Sequence, residues 1–252
     1  MDVSITGAKI FFTIPVFGGI PITETIVNTW IIMAVIVGIC IWLTRGLKVR
    51  PTSKKQIVAE YLVKTAYGFV ESNMGRRFSS YTPFIATLFT LSVLSNLCSM
   101  LGMYSPTADL STEMAWATIV FVMITYHKFK ANGFGGYFKS YLDPIPVLLP
   151  FNIISEIATP ISMAFRHFGN IASGSVITTL IYAALAALSH VLLGWLPSFL
   201  GSIPLFQLGI PAVLSIYFDL FSGCLQAFIF CMLTMMYISA AAETGEPEEK
   251  EA

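Results

Sequence analysis

The 252-residue chain is poor in charge: Asp, Glu, Lys and Arg make up only 11% of it, where a soluble domain carries roughly 25%. That shortage excludes an ordinary water-facing surface. Fourteen basic and fourteen acidic residues cancel, so no net field draws nucleic acid or an acidic substrate. Cysteine is scarce too. Cys40, Cys98, Cys224 and Cys231 all lie in apolar stretches, with no CxxC and no Cys/His cluster at metal spacing, and read as small buried hydrophobes. No HExxH, P-loop or dinucleotide fingerprint occurs. The first 25 residues lack a basic n-region, an apolar core and a small-residue cleavage site, so the first long apolar run is expected to be a resident span. What is abundant is apolar: 56% of residues, with a mean hydropathy of +0.76. The class expected is an all-α polytopic membrane protein forming a single integral membrane domain.

Crossing about 30 Å of hydrocarbon takes about 20 apolar residues in a helix. Spans are expected over 28–45, 83–104 and 112–128, after an N-terminal segment over 1–27. Over 54–72, Ile57, Val58, Tyr61, Leu62, Thr65 and Phe69 recur near helical spacing with Glu60, Lys64 and Glu71 between them. That pattern predicts an amphipathic helix lying on the membrane surface. Lys128, Lys130 and Lys139 surround a Gly133–Gly136 stretch expected to be a flexible loop. Long helices are expected over 145–193 and 205–242, separated by Gly194, Pro197, Gly201, Pro204, Gly209 and Pro211, with an acidic tail over 243–252. That makes about five membrane-crossing helices plus the surface helix. Eleven of the fourteen basic residues fall in the loops after the first and third spans. The positive-inside rule makes both loops cytoplasmic, with the N-terminus outside and the C-terminus inside.

The 99 residues from Pro144 to Ala242 hold just three charged side chains, Glu156, Arg166 and Asp219. A charge at mid-membrane costs between ~3 kcal/mol on insertion scales and more than 10 in simulations, so such residues usually face a partner or a water-filled path. On a helix Asn170 and Ser173 share a face with Arg166, and Glu156, ten residues back, falls close to the same stripe. Asp219, Ser222 or Gly223, and Gln226 form a second polar stripe. Gly169, Gly174 and Gly223 sit beside these stripes and would let another helix approach. Ordinary interhelical hydrogen bonds would account for Asn170 and Gln226, but not for an arginine.

The segment Pro160-Ile-Ser-Met-Ala-Phe-Arg166-His-Phe-Gly-Asn170-Ile-Ala-Ser-Gly174 closely resembles the signature of subunit a of the bacterial F-type ATP synthase, in its membrane Fo sector. Leu225-Gln226-Ala227-Phe228-Ile229-Phe230, with Leu233 and Tyr237, resembles that family's last-helix motif. Pro106-Thr107-Ala108-Asp109-Leu110 is similar to its short outer turn, and Asn96 matches its second span. The resemblance implies a stator with two offset aqueous half-channels, its last two helices tilted against a rotating ring of c subunits. Arg166 matches the essential arginine that faces the ring carboxylate and keeps the half-channels apart. Arginine suits this role because it stays charged in a poor solvent and cannot relay the ion.

The resemblance also implies that Asn170 and Gln226 line the arginine's cavity and that Glu156 marks the cytoplasmic exit. Asp219 stands at the ionisable position of the last helix, while Ser175 stands where many members have an acid or histidine. His167 replaces the usual leucine, either as a titrating group or as a lipid- or protein-facing substitution. Ser99 lies near a place where some relatives carry an acid. The partners implied are the c-ring, b-type peripheral stalk subunits, other synthase subunits and membrane lipid, in a bacterial cell membrane. No cofactor is implied, and ATP chemistry would lie in other subunits.

Two rival classes leave different marks. A secondary transporter would show two related halves with broken helices in corresponding places, and no such repeat is evident. An intramembrane serine protease would need a GxSG-like turn. Ala172-Ser173-Gly174 gives part of one, but Ile171 fills the glycine position and His190 has no evident orienting partner.

Overall fold

The computed structural model describes residues 8–15, 19–49, 53–142, 145–193, 213–214 and 216–243. The Gly/Pro-rich break over 194–212 and the tail from 244 onward lie outside them, as does the first part of the long helix expected over 205–242. Among the described residues six α-helices dominate: α1 Glu24–Thr44, α2 Lys54–Met74, α3 Thr82–Leu97, α4 Leu110–Ser140, α5 Leu149–Leu193 and α6 Gly223–Glu243. Helices covering Glu24–Thr44, Arg76–Leu101, Pro146–Ser189 and Ile216–Glu243 are long and apolar enough to cross a membrane. The chain thus has the all-α architecture of a polytopic membrane protein.

Its residues group into two compact units. The first comprises Met1–Met33, Ser92–Asp109 and His167–Ala227; the second comprises Ala34–Leu91, Leu110–Arg166 and Phe228–Ala252.

The first unit opens with a β-hairpin that the helical reading did not foresee. Strands β1 (Ile10–Ile14) and β2 (Ile20–Thr23) pair antiparallel, with Ile14 opposite Ile20 and Thr13 opposite Pro21. The aromatic and β-branched run Ile10-Phe11-Phe12-Thr13-Ile14 suits a strand, and Gly19 takes a φ of 96° at the turn side. The Glu24 amide donates to the Lys9 carbonyl at 2.8 Å, so α1 begins where the hairpin ends. Polar residues then anchor its first turns. Thr25 donates to Asp109 Oδ2 at 2.9 Å, and the Asn28 amide donates to the Tyr104 carbonyl at 2.8 Å. Burial, reinforced by the charges of Asp109 and Glu24, pushes the Tyr104 phenol above its ordinary pKa and keeps it neutral.

The second unit is built on a core of Val70, Met74, Phe78, Ile85, Val120, Ile124, Met163, Phe230, Met235 and Ile238. Val70 and Met74 come from the C-terminal end of α2. Its earlier apolar residues Ile57, Val58, Tyr61 and Leu62 stay exposed, while at its start the buried Gln56 donates to the Lys48 carbonyl at 2.6 Å, so α2 is held at its two ends and bare between them. A 3-10 turn, Arg76–Tyr81, leads from α2 into α3.

Between Lys128 and Lys139 the structure replaces the expected flexible loop with two helical segments that meet at a kink at Gly133, the second ending at Ser140; the two together are α4. Only Gly133 leaves helical geometry, at φ 66°, a left-handed conformation that glycine adopts without a Cβ penalty. Lysine interrupts an apolar run but is a good helix former, which is why hydropathy stops the segment short of where the backbone does. The expected third span, 112–128, falls inside this helix. Glu113 in its first turn and His127 lower its average apolarity.

Candidate functional site

The candidate residues divide into two polar groups and one exposed cation. In the first unit, hydroxyls and amides hold α3, α5 and α6 together. Asn96 of α3 donates its side-chain amide to the Gly223 carbonyl at 2.7 Å and accepts a hydrogen bond from Thr107 at its Oδ1. Ser105 donates to the Ser95 carbonyl at 2.7 Å, so the Pro106–Ala108 turn is bonded back onto α3. On α5, Asn170 pairs two ways with Ser222: its amide reaches Ser222 Oγ at 2.9 Å, and that hydroxyl returns to Asn170 Oδ1 at 3.0 Å. His167 is fully buried, with Nε2 3.3 Å from Ser92 Oγ. It faces protein rather than lipid.

Asp219 lies in a π-helical stretch, Ile216–Ser222, that leads into α6. Such stretches are rare and recur at functional sites. Phe218 of the same stretch lies 3.6 Å from where a Cβ on Gly174 would stand, and a Cβ on Gly223 would come within 3.0 Å of Asn96 Cβ. Of the three glycines singled out, Gly223 therefore sits at a close approach, whereas a Cβ on Gly174 would make ordinary van der Waals contact. One on Gly169 would make neither: among the described residues nothing lies within 4 Å of that position. Gln226 is buried. Ser173 and Ser175 point outward and return their hydroxyls to the carbonyls of Asn170 and Ala172 on their own helix.

In the second unit Glu156 anchors its own cluster. Its carboxylate meets Lys128 Nζ at 3.0 Å and accepts the Tyr137 hydroxyl at 3.2 Å and the Tyr141 hydroxyl at its other oxygen. The two phenolic oxygens lie 2.6 Å apart, and Asn152 donates to the Tyr141 carbonyl at 2.9 Å. Burial, then the hydrogen bond to Glu156, pushes the Tyr141 phenol well above the tyrosine range, and burial raises Tyr137 as well. Both phenols stay neutral donors at any pH near 7. Two cavities of ≈ 180 and ≈ 280 Å³ share Lys128, Glu156 and Thr159 as walls. The smaller is otherwise lined by apolar residues such as Phe121 and Ile124, the larger by Ser140, Asn152 and Ser155. The carboxylate stands in the partition between them.

This placement corrects one expectation. Glu156 does not share the stripe of Arg166. It is ten residues away, about 15 Å along a helix axis, and is turned into α4 by Lys128. Its charge inside an apolar arm is thus met by a cation.

Arg166 is exposed, and among the described residues no carboxylate lies within ion-pairing distance of it. Ile154, Ile157, Ile161 and Phe165 precede it on α5, all likewise exposed. His167, the next residue, is fully buried, so one step along the helix separates an outward cation from an inward imidazole.

Sequence reasoning missed Lys128, Tyr137 and Tyr141, whose link to Glu156 spans fifteen or more residues. It also missed Glu113, a fully buried carboxylate in the first turn of α4, where the helix dipole favours negative charge. An acid opening an otherwise apolar run was its only signal.

A family model described as ATP synthase A chain matches residues 26–239. The chain is 32% identical to "ATP synthase subunit a, sodium ion specific" of Propionigenium modestum, covering 90% of this chain and 77% of that one. It is 34% identical to ATP synthase subunit a of Desulforamulus reducens (87% and 79% covered), and 36% identical to ATP synthase subunit a 1 of Chlorobium luteolum (89% and 92%).

Proposed function

The chain belongs to the ATP synthase A chain family, and on that premise we propose that it is the stator of the Fo ion channel, with Arg166 facing the carboxylates of a c-subunit ring. The observation that carries this reading is Arg166 itself. It is a permanently charged side chain, exposed on an apolar helix face and without a carboxylate among the described residues. Leaving it to lipid would cost between ~3 and more than 10 kcal/mol. A partner carboxylate arriving at that face removes the cost, and the exposed Ile154–Phe165 stripe supplies an apolar surface for the partner's helices.

Asn170, Gln226, Asp219, Ser175 and His167 belong to the outer half-channel and the surroundings of the arginine in this proposal, and Glu156 to the cytoplasmic exit. An ion entering from outside neutralises a ring carboxylate and releases it from Arg166, so the site can turn into lipid. After nearly a full turn the ion leaves past Glu156. Each charge crossing 100 mV supplies about 2.3 kcal/mol. The fifth crossing is α4, the N-terminus lies outside and the C-terminus in the cytoplasm of a bacterial cell, and b-type stalk subunits hold the stator in place. Bond-making on ATP belongs to the other subunits.

Asp219 tests the inlet. In proteoliposomes holding the whole complex, Asp219→Asn should slow ion uptake while leaving the complex assembled; a flux-versus-pH profile identical to wild type would remove Asp219 from the path. Running the assay with a proton gradient in sodium-free buffer, and again with a sodium gradient, identifies the ion. Tyr141 tests the exit. Tyr141→Phe deletes one hydrogen bond to a charged group, so coupled flux should fall by about tenfold or more. Unchanged ATP synthesis in that variant would show that the phenol does not hold Glu156 for its task.

A further inference from the structure

A third cavity, ≈ 580 Å³, lies in the second unit and takes no part in the proposed ion path. Its walls include Arg77 and Ser80 from the 3-10 turn before α3, Tyr81, and Tyr126, His127 and Lys130 from α4, closed by Ala242 near the end of α6. Two cations from different elements therefore line one space, with several neutral hydrogen-bonding groups beside them. The wall is firmly built. Tyr81 is hydrogen-bonded to His127 Nε2, and the His127 ring packs edge-on against both Phe78 and Tyr126. Arg77 is stacked over the Phe78 ring at 5.0 Å, which fixes its guanidinium at the rim.

Among the described residues Glu243 stands at the rim, 3.5 Å from Arg77; both side chains are about half exposed, at 62% and 43%. Such a water-exposed pair is weak and exchanges readily for a better-fitting anion. Guanidinium binds the paired oxygens of a phosphate through two parallel N–H groups, and Lys130 adds a second charge. The arrangement suits a phosphate-bearing anion.

A phosphate can come from lipid or from solution, and the surface below the cavity favours lipid. Ile119, Val122 and Tyr126 are exposed at 50, 60 and 58% and recur at i, i+3 and i+7, with Lys130 one turn further on. They form a continuous apolar strip running from the cavity down the apolar part of α4. We propose that this cavity holds the phosphate of an anionic phospholipid between Arg77 and Lys130, with an acyl chain along the Ile119–Tyr126 strip. Basic pockets between helices are a known way of binding acidic headgroups. The site does not depend on the stator reading, only on the chain residing in a membrane.

The test uses the intact complex in nanodiscs of phosphatidylcholine doped with phosphatidylglycerol carrying a photoreactive headgroup. Crosslinked peptides are mapped after illumination. Wild type should be labelled within 126–131, and labelling there should drop severalfold in the Arg77→Gln/Lys130→Gln double variant, with labelling elsewhere on the complex unchanged. The unchanged labelling elsewhere also shows that the variant is assembled. Equal labelling of wild type and variant overturns the site. Equal labelling by the matching phosphatidylcholine probe overturns its preference for acidic lipid. Loss of the label on adding inorganic phosphate, at an ionic strength matched with chloride, overturns the lipid source and assigns the cavity to free phosphate.

Discussion

Arg166→Ala is expected to bring ion-driven ATP synthesis and ATP-driven pumping to background while the complex still assembles. The two halves of that expectation rest on one observation. The side chain is exposed and bonded to no carboxylate among the described residues, so its removal leaves no buried partner behind and the fold loses little. The same exposure makes it the group a ring carboxylate would meet. Without it nothing favours the ionised carboxylate at mid-membrane, and the cost of stranding that charge, ~3 kcal/mol or more, falls on every step of rotation. The check is ATP synthesis in inverted vesicles, with c-subunit co-purification as the assembly control. Normal coupled synthesis in this variant would end the stator reading.

Gly223→Val is expected to do the opposite: to destroy assembly rather than coupling. A Cβ there would stand 3.0 Å from Asn96 Cβ, and the Gly223 carbonyl is the acceptor for the Asn96 amide at 2.7 Å. Overpacking costs about 1–3 kcal/mol, and leaving the buried Asn96 amide without its acceptor adds about 1–3 kcal/mol more. Together these approach the net stability of a typical domain, about 5–15 kcal/mol. Subunit level in the membrane fraction and recovery of the complex should both collapse. Gly169→Ala is the contrast. Open space surrounds that position among the described residues, so the subunit should accumulate normally. Equal abundance of both variants would show that the Asn96–Gly223 contact does not hold α3 to α6.

Much of this was legible in the sequence because lipid leaves a strong imprint. Long apolar runs set the helices, and a lone arginine in a 99-residue stretch with three charges stood out without a structure. The parts that were not legible share a cause. The β-hairpin before α1 is made of the same apolar residue types as the spans, and only strand preference over a few positions separates the two. Glu156 looked like a companion of Arg166 because spacing along a helix was all there was to judge by. Its true partners, Lys128, Tyr137 and Tyr141, come from α4 and the turn that follows it. The buried state of His167 against Ser92 likewise depends on which side of α5 meets α3, a fact of packing rather than of periodicity.

The π-helical stretch Ile216–Ser222 has a consequence for how chain length can vary in this part of the molecule. Its wider turns accommodate one more residue than an α-helix would over the same rise. Losing a residue there would let the backbone close into an unbroken α-helix with its hydrogen bonds intact, so the deletion would be mild for stability. Yet every side chain upstream would swing by about 100° relative to Gln226 and the rest of α6, carrying Asp219 to another face. A change in length, silent for the helix, would thus reset which side chain faces where Asp219 now does, by insertion or deletion rather than by substitution.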